Sequence, residues 1–113
     1  MKITVIVLCA ALAVLTAVPA LGHQPSEITI VISGEDIDVT VHHSVGDPAA
    51  HYIKSIRVSL NGVPAAQEDF VRQAGNTQKA RFSVPGLKKG DIVTVQADCS
   101  RSGSLSRTQT AGS

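Results

Sequence analysis

The sequence predicts an all-β domain, a sandwich of about seven short strands that follows a cleaved signal peptide. Short runs of alternating apolar and polar residues recur at intervals of roughly ten residues, and Gly, Asn and Pro separate them. No helical pattern appears after the leader. Antiparallel strands that bury one face and expose the other produce this alternation. Together these features are typical of an immunoglobulin-like β-sandwich.

Residues 1–22 have the layout of a secretory signal peptide. They run from Lys2 through an unbroken apolar stretch to Ala20, Leu21 and Gly22. Cleavage after Gly22 would make His23 the first residue, and cleavage after Ala20 fits nearly as well. An uncleaved anchor is the rival interpretation, but the apolar part is short and no stop-transfer charges follow it. We therefore predict a signal peptide over 1–22, one domain over 23–113, and a periplasmic or secreted location.

The composition of the remaining chain excludes a strongly charged surface. Removal of residues 1–22 from 113 leaves 91 residues, enough for one small domain. The ten Lys and Arg residues become nine without Lys2, and they balance nine Asp and Glu residues that form no charge runs. A basic surface for nucleic acid or anionic lipid is therefore not expected. We predict no nucleic-acid partner and no stable membrane association after processing.

The stretch "EITIVISGEDIDVTVHH" predicts a hairpin around Gly34 and Glu35. In its first run the apolar face is formed by Ile28, Ile30 and Ile32. In its second run the apolar face is formed by Ile37, Val39, Val41 and His43. Because side chains alternate along a strand, His43 is expected to point to the core and His42 to water.

Up to five further strands are predicted after this hairpin. "HYIKSIRVSL" has Ser55 and Arg57 on its outward face and ends at the turn pair Asn61 and Gly62. "VPAAQEDFVRQAG" is an edge strand or an irregular crossing, because Pro64 cannot donate to a sheet ladder. "TQKARFSV" alternates again, and "DIVTVQADC" ends with Cys99 on its apolar face. "SLSRTQT" could add a last strand.

Three residues at strand ends have metal-ligand chemistry. His43 ends one predicted strand, His51 begins the next, and Cys99 ends a late one. Strand ends of a sandwich cluster at its two poles, so these side chains could meet. Cys99 is the single cysteine after the leader, so it is free, paired with another chain, or bound to metal. Imidazole nitrogen and thiolate sulfur suit zinc, iron and copper.

At these residues the sequence resembles the desulfoferrodoxin and superoxide reductase family, small immunoglobulin-like proteins that hold a mononuclear iron with four histidines and one cysteine. The resemblance covers nearly the whole chain after the leader. "GHQP" matches the family's first ligand segment at His23, "HHSVGDPAAHYI" matches the next two at His43 and His51, and "CSRSG" matches the cysteine segment at Cys99. The resemblance implies an iron site formed by His23, His43, His51 and Cys99.

The departures from the family pattern bear on the chemistry. The fourth family histidine falls on Ser102, and a proline of the family loop falls on Ser44. The family's lysine, which draws the anionic substrate to the iron, falls on Gly22 within the leader. Three imidazoles and one thiolate would suit tetrahedral zinc as well as iron, and could bind copper. If His23 is the mature N-terminus, its amine and imidazole could also chelate copper together.

Two functions of different classes are therefore expected. The resemblance implies an iron protein that reduces superoxide, a small anion, to hydrogen peroxide with electrons from an unidentified donor, and the predicted signal peptide implies that it is exported. The alternative is a non-catalytic exported module that binds zinc or copper, or interacts with a partner, and has lost turnover. Ser102 and the absent lysine favour the module, whereas the retained Cys99 favours the enzyme.

Overall fold

The computed structural model describes residues 24–101 and 103–112, and these form two antiparallel β-sheets packed as a sandwich. The predicted all-β, immunoglobulin-like fold is therefore confirmed. The predicted signal peptide over 1–22, His23 and Ser102 lie outside the described residues. Among those that are described, no helix has the length and apolar character needed to span a bilayer.

Seven strands form in the described part of the chain. In order they are β1 (Glu27–Ser33), β2 (Asp36–His42), β3 (Ile53–Leu60), β4 (Val63–Asp69), β5 (Thr77–Ser83), β6 (Ile92–Cys99) and β7 (Ser104–Thr110). One sheet has the order β1-β2-β5 and the other the order β4-β3-β6-β7. The chain therefore passes between the sheets three times, after β2, after β4 and after β5.

The core lies between the two sheets and follows the alternation of the sequence. Most inward-facing apolar positions of β2, β3 and β6 are almost fully buried, and the least exposed of them are Ile37, Val41, Ile53, Ile56, Val93, Val95 and Ala97. The aliphatic side chains share this interior with Phe82 of β5. Burial of such side chains is the main favourable contribution to folding, at roughly 25 cal/mol for each Å² of apolar surface.

The turn at Asn61 and Gly62 is the hairpin turn that the sequence predicts. Both residues have positive φ, 50° and 84°, which matches the twist of the two strands that they connect. The following strand, β4, lies at the edge of the four-stranded sheet, and its pairing with β3 shifts between Val58 and Ser59. Pro64 is tolerated there because an edge strand needs fewer main-chain donors.

Ser55 lies on the outward face of β3, as predicted, but it is buried with 7% exposure. Its hydroxyl donates to the Asp98 carboxylate of the neighbouring strand at 2.9 Å. The Arg57 guanidinium donates to the same carboxylate at 2.7 Å. The alternation gives the face of a residue correctly, but it does not anticipate neighbours that cover that face.

Candidate metal centre

Three connections meet at one pole of the sandwich. Residues 43–52 join β2 to β3, residues 70–76 join β4 to β5, and the segment after Cys99 leads to β7. Because β3 begins where β6 ends, Ile53 pairs with Cys99. His51 therefore lies beside Cys99 although 48 positions separate them in the chain.

His43 occupies the inward position that the alternation of β2 predicts. Its side chain is buried, with 2% exposure, whereas the neighbouring His42 is half-buried on the other face. Its main-chain amide donates to the carbonyl of Asn76 at 2.9 Å, which holds the segment after β2 against the β4–β5 connection. The imidazole therefore lies at the pole and not in the middle of the core.

His51 is positioned by a tight turn and by its neighbours in the next strand. The main-chain amide of His51 donates to the carbonyl of Asp47 at 2.9 Å. Tyr52 and Ser100 are joined by two hydrogen bonds, one from the Ser100 amide to the Tyr52 carbonyl at 2.8 Å and one from the Tyr52 amide to the Ser100 hydroxyl at 3.1 Å. These bonds fix the residue after His51 against the residue after Cys99.

His51 and Cys99 are in direct contact. The Nε2 atom of His51 is 3.0 Å from the Sγ atom of Cys99, and the sulfur also accepts the Arg101 amide at 3.4 Å. The rings of His43 and His51 meet edge to face, with centroids 4.8 Å apart and planes at 85°. Cys99 is buried with 4% exposure.

One ligand atom from each of His43, His51 and Cys99 lies within 4.8 Å of the other two. With metal–nitrogen bonds of about 2.1 Å and metal–sulfur bonds of about 2.3 Å, nitrogen and sulfur are about 3.1 Å apart at right angles and about 3.6 Å apart at tetrahedral angles. The His51 to Cys99 distance of 3.0 Å is close to the first value. The group could therefore hold a metal ion of the kind that prefers nitrogen and sulfur.

Gln73 belongs to this cluster, and the sequence analysis missed it. Its side chain is 3% exposed and contacts His43 twice, with Oε1 at 2.9 Å from the ring Nδ1 and Nε2 donating to the His43 carbonyl at 2.6 Å. Gln73 lies in an irregular connection without periodicity, so alternation gives no signal there. Glutamine is also mostly exposed in folded proteins, so its residue type does not indicate a buried position.

Asp98 provides a fixed negative charge on the face of β6 opposite to Cys99. Burial alone would raise its pKa, but hydrogen bonds from Gln96 and Ser55 and the charge of Arg57 outweigh that effect. The pKa of Asp98 is therefore below its ordinary value. Three cationic side chains, Lys54, Arg57 and Arg101, line the depression beside Cys99. Arg57 is paired with the Asp98 carboxylate.

The N-terminal segment approaches the loop that runs from Cys99 to Gly103, called here the cysteine loop. A Cβ atom placed on Gly103 would lie 2.8 Å from the Gln24 Cβ and 3.2 Å from the Gln24 Cα, so this close approach needs glycine. His23 precedes Gln24 in the sequence but lies outside the described residues. Its predicted role, and the metal assignment of all four residues, stay predictions.

The fold is similar to that of a solved superoxide reductase (1Fe-SOR) from Giardia intestinalis. The two structures align with a TM-score of 0.60 and 22% sequence identity, over 79% of this chain and 97% of that chain. A comparison with protein-family profiles found no match. A comparison with curated protein sequences also found none. At this identity the likeness shows a superoxide-reductase-like fold and no more.

Proposed function

We propose that the protein is an exported metal-binding protein resembling superoxide reductase, with a mononuclear iron held by His23, His43, His51 and Cys99. The observation that carries this proposal is the convergence of His43, His51 and Cys99, whose ligand atoms lie within 4.8 Å of one another. The pairing of β3 with β6 brings the His51 ring into contact with the buried Cys99 thiol, although the two residues are 48 positions apart in the chain. The similarity of the fold to a superoxide reductase supports iron as the metal.

The approach of Gln24 to Gly103 supports His23 as a fourth ligand. Gly103 is four residues after Cys99, and Gln24 directly follows His23. The main-chain amide of Cys99 donates to the Gly103 carbonyl at 3.0 Å, which closes the loop that carries both residues. The residue that directly follows His23 in the sequence thus lies beside the loop that carries Cys99.

The reaction that we propose is the one-electron reduction of superoxide. Bound ferrous iron would supply one electron, and two protons from water complete hydrogen peroxide. Regeneration of the ferrous state would need one electron from an external one-electron donor, so turnover would require such a partner. Lys54 and Arg101 line the depression beside Cys99, and their charges favour the approach of a small anion.

The second candidate is an exported module that binds zinc or copper without turnover. Ser102 stands where the family has its fourth histidine, and Gly22 stands where it has its lysine. A hydroxyl is a weaker ligand than an imidazole, so the ligand field at the metal would be weaker. The coordination geometry would then relax towards tetrahedral. Such a set suits zinc as well as iron.

The metal content of the processed protein separates these candidates. Stoichiometric iron, a thiolate-to-iron(III) charge-transfer band and rapid consumption of superoxide are the results expected for the enzyme. Stoichiometric zinc or copper without superoxide consumption would favour the module. A preparation that binds none of these metals after reconstitution would overturn both.

Cys99→Ser tests the site itself. Removal of the thiolate is expected to lower metal affinity by more than about 100-fold, because even the loss of an outer-shell partner costs up to that factor.

His43→Ala is a second test of the site, and His42→Ala is its matched control, since the two histidines are adjacent but lie on opposite faces of β2. Only His43→Ala is expected to lose metal. Full metal content in both Cys99→Ser and His43→Ala would rule out this site.

A further inference from the structure

We infer that Gln73 is a positioning residue, which holds His43 in the tautomer with hydrogen on Nδ1 and so leaves the ring lone pair at Nε2 for the ion. The metal half of this inference rests on the proposed function. The tautomer half rests on the contacts of Gln73 alone, so the two halves can fail separately.

The orientation of the Gln73 amide is determined by its other partners. Its Nε2 lies 2.6 Å from the His43 carbonyl oxygen and 2.9 Å from the Gly75 carbonyl oxygen, and both of these atoms only accept. Its Oε1 lies 3.1 Å from the amide nitrogen of Ile53, which only donates. A reversed amide would place oxygen against two carbonyls and nitrogen against a donor. The nitrogen must therefore face the two carbonyls.

This orientation decides the tautomer of His43. The Nδ1 atom is 2.9 Å from Gln73 Oε1, and an amide oxygen can only accept. Nδ1 must then carry the hydrogen and donate it. In the neutral ring the lone pair is consequently at Nε2, and ligating histidines generally bind metal through one nitrogen while the other donates to a fixed acceptor.

Burial makes the arrangement costly to break. His43 is 2% exposed and Gln73 3% exposed, so water cannot readily replace a lost partner. The amide uses both donors and both acceptor positions in four hydrogen bonds. A buried polar group that loses its partner is costly, because no water replaces the lost hydrogen bond. The reversed tautomer of His43 would leave Oε1 and Nδ1 as two facing acceptors.

Gln73 also ties together the segments that carry the two histidines. Its main-chain amide donates to the Pro48 carbonyl at 3.1 Å, and its side chain accepts from Ile53, two residues after His51. The same side chain bonds the His43 ring and carbonyl. One residue of the β4–β5 connection therefore fixes both ends of the loop from His43 to Ile53.

The tautomer can be read by 15N NMR of the histidine rings in the metal-free protein, because protonated and unprotonated ring nitrogens have different shifts. Hydrogen on Nδ1 of His43 is expected in the unmodified protein. Gln73→Leu removes the acceptor and is expected to move the hydrogen to Nε2. Gln73→Glu keeps an acceptor for Nδ1 while losing the same donor bonds, so it is expected to retain the original tautomer.

Hydrogen on Nε2 in the unmodified protein would overturn the inference, whether or not Gln73→Leu folds. A folded Gln73→Leu that keeps hydrogen on Nδ1 would also overturn it. Gln67→Leu on the edge strand controls for the substitution itself, because the described hydrogen bond of the Gln67 side chain is to Asp69, and it is expected to leave His43 unchanged.

Zinc affinity, measured by competition with a chelator, tests the metal half. Gln73→Leu is expected to bind zinc about 10–100-fold more weakly, as is usual for loss of an outer-shell partner, and Gln73→Glu is expected to restore most of the affinity. Equal affinity in Gln73→Leu and the unmodified protein would overturn this half. Absence of metal binding by the unmodified protein would overturn the proposed function, while the NMR result would still decide the tautomer.

Discussion

His42 and His43 are adjacent residues with different chemical capacities. Strand geometry directs one to the surface and the other to the buried pole beside His51 and Cys99. A buried imidazole with a fixed acceptor has one defined lone pair, whereas a surface imidazole exchanges tautomers in water. The difference between these two residues is therefore set by one step of the β-strand repeat.

Asp91 is another buried polar residue with defined partners, at the pole opposite to the candidate metal centre. A hydrogen bond from the Lys88 amide, followed by one from Asn61, outweighs the effect of burial and lowers the pKa of Asp91. The distances are 2.9 Å for the Lys88 amide and 3.1 Å for the Asn61 side chain. The folded protein thus prefers the ionised carboxylate.

This preference predicts a pH-dependent effect of Asp91→Asn. Since the folded pKa is lowered, the ionised group stabilises the fold above its unfolded pKa of about 3.9, and this contribution is lost as the pH falls through the folded value. Asp91→Asn should lower the free energy of unfolding at pH 7 and show a smaller deficit at pH 3. Urea unfolding at both pH values measures this, and an equal deficit at both would contradict it.

Residue alternation predicts some site residues and not others. His43 and Cys99 continue the apolar faces of β2 and β6, so their inward positions follow from period two. Gln73 follows no period, and its partners His43 and Ile53 are 30 and 20 positions away. Contacts of that kind depend on how the connections pack, which a single sequence does not encode in a local pattern.

At the scale of elements, the cysteine loop and the N-terminal segment depend on one glycine. Gly103 has a φ of +85°, and Gly62 at the opposite pole has a nearly equal φ of +84° with no atom close to its Cβ position. Alanine at either position incurs left-handed strain of about 1–2 kcal/mol. Only at Gly103 would the new methyl group also collide with Gln24.

We therefore expect Gly103→Ala and Gly62→Ala to destabilise the metal-free protein, with only Gly103→Ala also weakening zinc binding. The collision displaces the segment that follows His23, the proposed fourth ligand. Urea unfolding gives the stability, and competition with a chelator gives the affinity. Unchanged zinc binding in Gly103→Ala would argue against His23 as a ligand.

The pairing of the edge strand β4 with β3 is only partly predictable from the sequence. The hairpin at Asn61 and Gly62 follows from local turn chemistry, and so does the limit that Pro64 places on β4. The shift in pairing between Val58 and Ser59 has no such signal. A bulge depends on how two strands match along their whole length, so it appears only when both are placed.

At the scale of the molecule, the candidate site joins distant parts of a small chain, and Cys99 is the one cysteine among the described residues. An ion that binds the folded state alone stabilises it by mass action, by about 2.7 kcal/mol at a free concentration of 100 times the dissociation constant. For a domain of this size, that corresponds to a rise in Tm of about 10–20 °C.

Calorimetry with and without zinc measures this shift. The unmodified protein is expected to show it, while Cys99→Ser is expected to show little of it. Magnesium should have no effect on either, because it prefers oxygen ligands. An equal zinc shift in both proteins would indicate binding elsewhere.

The three described ligand candidates do not belong to one sheet. His43 follows β2 of the three-stranded sheet, whereas His51 precedes β3 and Cys99 ends β6 of the four-stranded sheet. A bound ion would thus connect the two layers by coordination bonds at this pole. The layers of the loaded protein would then separate first at the far pole, near the β3–β4 turn, and amide hydrogens there would exchange with solvent sooner than those beside Cys99.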